Sequence, residues 1–171
     1  KFGTLEKKLS GIKKNNLLRN LQDSNVEKQF IKLDGKKLLN FSSNDYLGMK
    51  PGKLKHIQFQ SSSRLVSGND TSFSKLEKKL AKHKSQEKSI IFPTGYMANL
   101  GLISSIATKQ DTIFSDELNH ASIVESCKLS GSKIKIFKHN DMSDLEKKVQ
   151  KTKGKKLLIT EGIFSMDGDW S

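Results

Sequence analysis

Leu5, Leu9, Ile12, Leu17, Leu18 and Leu21 recur at near-helical spacing through residues 4–22, with lysines filling many of the positions between them. This pattern predicts one amphipathic helix over the whole span. The next segment reads differently: Phe30, Ile31 and Leu33, then Asp34-Gly35, then Leu38 to Phe41. An Asp-Gly pair between two short apolar arms predicts a β-hairpin. Asn44 to Gly48 follows as a polar and aromatic loop, closed by the turn signal Pro51-Gly52.

Beyond residue 72 helical and strand periods alternate. Residues 74–84 predict a helix with Leu76, Leu80 and His83 along one face, and residues 89–92 a short strand ended by Pro93-Thr94-Gly95. Residues 96–107 form an apolar helical segment broken by Gly101. Strands are then expected at 112–115, 133–138 and 156–160, with helices at 121–129 and 143–151. Strands alternating with helices of this length imply βαβ units and a mainly parallel sheet, so the fold class is α/β.

The chain has 171 residues and a formal net charge of +13. Such a charge first suggests nucleic acid or an anionic membrane as partner. Its make-up argues otherwise: of 31 basic residues only Arg19 and Arg64 are arginine, and the lysines sit mostly on faces expected to be solvated. Phosphate and base readers favour the forked guanidinium over a hydrated point charge. The single cysteine, Cys127, excludes an internal disulfide and fits a reducing compartment. No apolar run is long enough to span a bilayer and no signal-peptide pattern opens the chain, so a cytoplasmic location is expected.

In an open α/β sheet, ligands gather at the carboxyl ends of the strands. After the 89–92 run comes Thr94-Gly95-Tyr96, a glycine at a helix entry, where backbone N–H groups and the helix dipole favour an anion. An ordinary strand-to-helix turn has the same appearance. After the 112–115 strand, Asp116 or Asn119 could cap the next helix. His120 would stand at the same edge, able to stack on a planar ring or move a proton. His139-Asn140-Asp141 reads as hydrogen bonding that organises a loop. Glu161, Ser165, Asp167 and Asp169, with Gly162 and Gly168, follow the last strand. Their spacing is not that of an EF-hand, and no Cys/His cluster suggests zinc, so no metal is expected.

In order, Asn40 to Gly48, Ser63-Arg64-Leu65-Val66-Ser67-Gly68, Leu76-Glu77, Thr94 to Asn99, Asp116 to Ile123, His139-Asn140-Asp141 and Glu161 to Asp169 resemble the α-oxoamine synthases. These are fold-type-I, pyridoxal-phosphate-dependent enzymes that condense an amino acid with an acyl-CoA and release CO2. Within the family, the first and last stretches read nearest to the 8-amino-7-oxononanoate synthase branch, with glycine C-acetyltransferase the near alternative. The resemblance implies an N-terminal helix and hairpin over 1–50, then the first part of a three-layer cofactor-binding large domain over 51–171. It implies pyridoxal 5'-phosphate as cofactor, with backbone N–H groups of Gly95 and Tyr96 on its phosphate and His120 stacked on its ring. Ser165 would lie near its phenolic oxygen, with Glu161 beside it. Arg19, in the N-terminal helix, would hold a substrate carboxylate, and Asn44 and Tyr46 would line the substrate side. Partners would be an amino acid (glycine or alanine), an acyl-CoA and a second copy of the chain, with no specific nucleic acid and no membrane.

Three departures accompany the resemblance. The family's glycine-rich lead into the arginine is Gln60-Ser61-Ser62-Ser63-Arg64, and Phe73 stands where a histidine is usual. The Schiff-base lysine and the aspartate that pairs with the pyridinium nitrogen are expected beyond Ser171, so the chain alone would be inactive. A non-catalytic protein binding a partner through an exposed sheet edge, and a basic polyanion binder, remain the alternative readings. In the family's sheet the first strand lies beside the last, which would leave residues 89–92 without a neighbour and hydrogen-bonding edges open. The isolated 171 residues are therefore expected to be unstable or prone to aggregate. A cooperative thermal transition from a soluble monomer would contradict this.

Overall fold

The computed structural model describes residues 3–27, 29–44, 46–47 and 62–171. Asp45, Gly48, Pro51-Gly52, Gln60-Ser61 and the expected boundary at residue 50 lie outside the described residues. The chain forms two compact units, Lys1–Ile91 and Phe92–Ser171.

In the first unit, helix α1 spans Gly3–Lys14 and is shorter than its apolar periodicity predicts. Asn16 adopts a left-handed φ of 55°. Its N–H donates to Lys13 O at 3.1 Å, and the Leu17 N–H donates to Ile12 O at 3.0 Å. These two bonds close a Schellman motif, which ends the helix because the left-handed residue turns the chain off its axis. Arg19 therefore follows the helix and is exposed, a correction to its expected helical place.

Strands β1 (Ser24–Glu27), β2 (Phe30–Leu33) and β3 (Lys36–Leu39) form an antiparallel sheet in that order. Asp34 and Gly35 both have positive φ, 47° and 78°, as the tight hairpin turn requires. The hairpin matches its sequence signal, whereas β1 was not foreseen. Its sequence Ser-Asn-Val-Glu offers a single apolar residue, and it is held instead by Ser24, whose N–H donates to Asn69 O at 2.8 Å and whose hydroxyl donates to Ser67 O at 2.7 Å.

Helix α2 (Thr71–His83) is capped by Asp70, which accepts the Ser72 N–H at 2.8 Å. Around it Arg64 makes three bonds of 2.9 Å, to Asn69 Oδ1, Ile91 O and Glu77 Oε1. Its guanidinium carbon lies 4.3 Å from the centroid of Phe73. The aromatic residue that departs from the family pattern thus supplies a stacking face for this arginine. Glu77 Oε1 also accepts the Ile91 N–H at 2.9 Å. Residues 89–92 are accordingly not a strand, contrary to expectation: the backbone groups of Ile91 are taken by the Arg64 and Glu77 side chains rather than by a neighbouring strand.

The second unit runs α3 (Gly95–Ile106), β4 (Thr112–Asp116), α4 (Ala121–Leu129), β5 (Lys133–Phe137), α5 (Met142–Gln150) and β6 (Lys156–Ile159). Its sheet is parallel in the order β5-β4-β6, as the alternation predicts, and every residue of the central β4 is buried. Ile113 packs on one face with Ile103, Ala107, Ile123 and Cys127, from α3 and its end and from α4. On the other face Phe114 packs with Phe137 and Leu145, the latter from α5. Gly101 does not break α3. A side chain there would meet the Phe92 ring at 3.0 Å, so the glycine makes room for an aromatic neighbour.

In the first unit a Cβ on Gly68 would stand 1.9 Å from Ser62 O, a contact between fixed backbones. Gly68→Ala is expected to destabilise the protein by about 1–3 kcal/mol, the usual cost of overpacking. Denaturant titration of the full-length protein checks this; an unchanged midpoint would refute the contact.

Candidate functional site

The carboxyl ends of β4, β5 and β6 deliver three loops to one edge of the sheet, and α3 begins one helical turn before a residue bonded to that edge. Thr94 caps α3 by accepting the Met97 N–H at 3.1 Å, and its carbonyl accepts the Ala98 N–H at 3.1 Å. The N–H groups of Gly95 and Tyr96 make no hydrogen bond among the described residues. A Cβ at Gly95 would meet nothing within 4 Å. Two free amide donors at a helix start, with an open approach, suit an oxyanion such as a phosphate.

One turn along α3, the Asn99 side-chain amide donates to Ser122 Oγ at 2.8 Å. The Ser122 N–H donates to His120 Nδ1 at 3.1 Å, so His120 is the N-cap of α4 in place of the expected Asp116 or Asn119. The Ser122 hydroxyl also lies 2.7 Å from Nδ1. With Nδ1 accepting, a neutral ring carries its proton on Nε2. The His120 N–H donates to Glu161 Oε1. A continuous line of bonds therefore joins α3, the start of α4 and the loop after β6, and His120 is exposed upon it.

Asn119 has a different task. Its amide donates to Ser115 Oγ at 2.9 Å and to Ile159 O at 2.8 Å, tying the end of β4 to the end of β6. Asp116, fully buried, accepts the N–H groups of Leu118 at 2.9 Å and Asn140 at 3.2 Å. Its Oδ1 lies 2.9 Å from His139 Nδ1. Burial pushes the Asp116 carboxyl up, but the Leu118 N–H, the His139 ring and the Asn140 N–H outweigh it and hold the group below its ordinary 3.8. His139 Nε2 lies 2.7 Å from Asp169 Oδ2. The two carboxylates, Asp116 first, raise the imidazole above its ordinary 6.5. Burial raises the Cys127 thiol, which leaves it inert.

The structure thus brings together His120 and Glu161 directly, and Gly95 and Tyr96 through Asn99. Ser165 is exposed in the loop after β6 and makes no hydrogen bond among the described residues. Arg19, Asn44 and Tyr46 belong to the first unit, where all three are exposed and likewise make none. The contribution of Asp169 to a shared cluster was not legible, because the residues joined are 23 and 30 positions apart in sequence. Among the described residues no group of three acids, histidines or cysteines could hold a metal, and no helix is long and apolar enough to cross a membrane.

The sequence matches the family model of aminotransferase class I and II over residues 36–170. It is similar to 8-amino-7-oxononanoate synthase of Thermoanaerobacter pseudethanolicus, with 43% identity over 150 residues that cover 80% of this chain and 38% of that protein. Among solved structures it resembles a variant of serine palmitoyltransferase from S. paucimobilis with a bound PLP–myriocin aldimine. The TM-score is 0.65 at 26% identity, covering 99% of this chain and 46% of that one. It also resembles 8-amino-7-oxononanoate synthase from Francisella tularensis, with a TM-score of 0.52 at 37% identity, covering 57% of this chain and 28% of that one. The chain spans less than half the length of these curated relatives.

The titrations of His139 and Asp116 set opposite limits on stability. The raised His139 contributes stabilisation that is complete below 6.5 and lost as pH rises through its folded value. The lowered Asp116 contributes stabilisation that is present above 3.8 and lost as pH falls through its folded value. Unfolding free energy measured against pH is expected to fall on the alkaline side of 6.5 in the wild type, a component missing from His139→Asn. Parallel profiles for the two proteins would contradict the assignment.

Proposed function

This chain belongs to the aminotransferase class I and II family, and on that premise we propose that it is the N-terminal, cofactor-holding part of a pyridoxal 5'-phosphate-dependent α-oxoamine synthase. The proposed reaction joins glycine or alanine to an acyl-CoA with loss of CO2. The higher identity to 8-amino-7-oxononanoate synthases than to serine palmitoyltransferase favours the former as the activity of the whole protein. The observation that carries the reading is the pair of unpaired amides at the start of α3, a helix that Asn99 bonds to Ser122 and so to an exposed imidazole.

When bound, the cofactor supplies an electron sink that lets a bond at the amino acid's α-carbon break. The residues of the chain do the holding. Gly95 and Tyr96 donate their N–H groups to the phosphate, reinforced by the α3 dipole. His120 lays its ring on the pyridine, held in one orientation because Nδ1 is fixed as the cap of α4. Glu161 fixes the His120 backbone, and Ser165 donates toward the phenolic oxygen. Arg19 offers a fork to the substrate carboxylate, with Asn44 and Tyr46 lining the substrate side. The Schiff-base lysine is assigned to the part of the full protein outside these 171 residues. The full protein works as a cytoplasmic homodimer.

Absorbance titration of the full-length protein with pyridoxal 5'-phosphate tests this. A visible band distinct from free cofactor is expected, followed by CoA release on adding an amino acid and an acyl-CoA. In His120→Ala the kcat/KM should fall about 100-fold, the scale of losing orientation at a reacting centre. No cofactor band in the full-length wild type would overturn the proposal.

A further inference from the structure

The loop after β6 closes on itself. The Phe164 N–H donates to Asp169 O at 3.0 Å, the Gly168 N–H donates to Phe164 O at 2.8 Å, and Ile163 bridges Trp170. Its tip, Ser165-Met166-Asp167, is exposed. Among the described residues, every hydrogen bond that ties residues 163–170 to the rest of the unit comes from His139 or Asn140. His139 Nε2 and the Asn140 side-chain amide both reach Asp169 Oδ2, at 2.7 and 2.9 Å, and the same amide donates to Trp170 O at 2.9 Å. The His139 ring also meets the buried Phe164 edge-on, with centroids 4.4 Å apart and planes at 85°.

The other side of the imidazole is anchored just as firmly. Nδ1 bonds Asp116 at the end of β4, and the His139 N–H donates to Glu117 Oε1 at 2.8 Å. A carboxylate can only accept. Ionised carboxylates at both nitrogens are satisfied together only when both nitrogens donate, which the ring does as an imidazolium; in that state it has no lone pair with which to take up a proton. The protonated ring cannot act as a general base, and its bonds to Asp116 and Asp169 give it a mechanical role. The groups facing it are Asp116 at the end of β4, Glu117 just after it and Asp169 after β6, with Asn140 the neutral neighbour. A neutral ring could satisfy one of the two carboxylates and would turn a lone pair toward the other. The penalty at Asp169 is compounded, because its second oxygen, Oδ1, is buried without a partner among the described residues.

We propose that His139 is a positioning residue: clasped between Asp116 and Asp169, it fixes the 163–170 loop on the sheet edge and so sets where the Ser165 hydroxyl stands. The clasp itself is independent of any ligand. Only what Ser165 faces rests on the cofactor reading above.

The test is hydrogen exchange on the cofactor-free full-length protein, comparing wild type with His139→Gln. Loop amides, above all Phe164 and Gly168, should exchange at least about 10-fold faster in the variant while β4 amides stay protected, since local opening is governed by the bonds that close it. In the wild type, loop exchange corrected for its intrinsic pH dependence should accelerate as the imidazole deprotonates. Loop protection within about 2-fold of wild type in a folded His139→Gln overturns the proposal. If that variant loses β4 protection as well, Asp169→Asn decides: faster exchange confined to the loop supports the clasp, and unchanged exchange overturns it. Cofactor affinity of His139→Gln is the second readout, with a weakening of about 10-fold expected from misplacing a contact by a fraction of an ångström. A wild type that fails to bind cofactor, yet shows the predicted loop exchange, would overturn the function and leave the clasp standing.

Discussion

The second unit depends on one constraint: β4 is hydrogen-bonded on both sides and buried at every residue. A strand in that position can present no charge to solvent along its length, so Asp116 at its end must find partners within the protein. It finds them in Leu118, Asn140 and His139. Burial of the strand thereby dictates the polar architecture of the edge. The loops after β4 and β5 are bonded to each other because a buried carboxylate between them leaves no alternative, and desolvated charge is costly unless bonded.

The alternation of helices and strands was legible because each element carries its own period. Residues 121–129 form the helix that the pattern predicts, and residues 133–137 the strand. The failures have physical causes that no period records. Apolar spacing from Leu17 to Leu21 continued past α1, but Asn16 turned the backbone first. The apolar residues 89–92 looked like a strand, yet a strand exists only if a neighbour takes its hydrogen bonds, and side chains took those of Ile91. Strand β1 lacks an apolar signature and exists because β2 pairs with it and Ser24 bonds residues more than forty positions away.

The site was legible to a similar depth. The glycine at a helix entry stands at the free-amide start of α3, and the histidine after β4 lies on the line of bonds that runs through Asn99, Ser122 and Glu161. The role of Asn119 was not legible, since a residue before a helix suggests a cap while the structure uses it to bridge two strands. Nor could the arginines be separated in advance. Arg64 is enclosed by Glu77, Asn69 and Phe73, while Arg19 is exposed and free of hydrogen bonds among the described residues.

The capping of α4 by His120 places two demands on one side chain. The ring offers an acceptor to the second N–H of the helix and, being exposed, also presents a flat aromatic face outward. Serine, threonine, aspartate and asparagine meet the first demand and lack the plate; phenylalanine and tyrosine supply a plate and no acceptor within reach. Among the genetically encoded side chains only imidazole does both. A substitution that kept the cap would therefore lose the aromatic face, and one that kept the face would lose the cap.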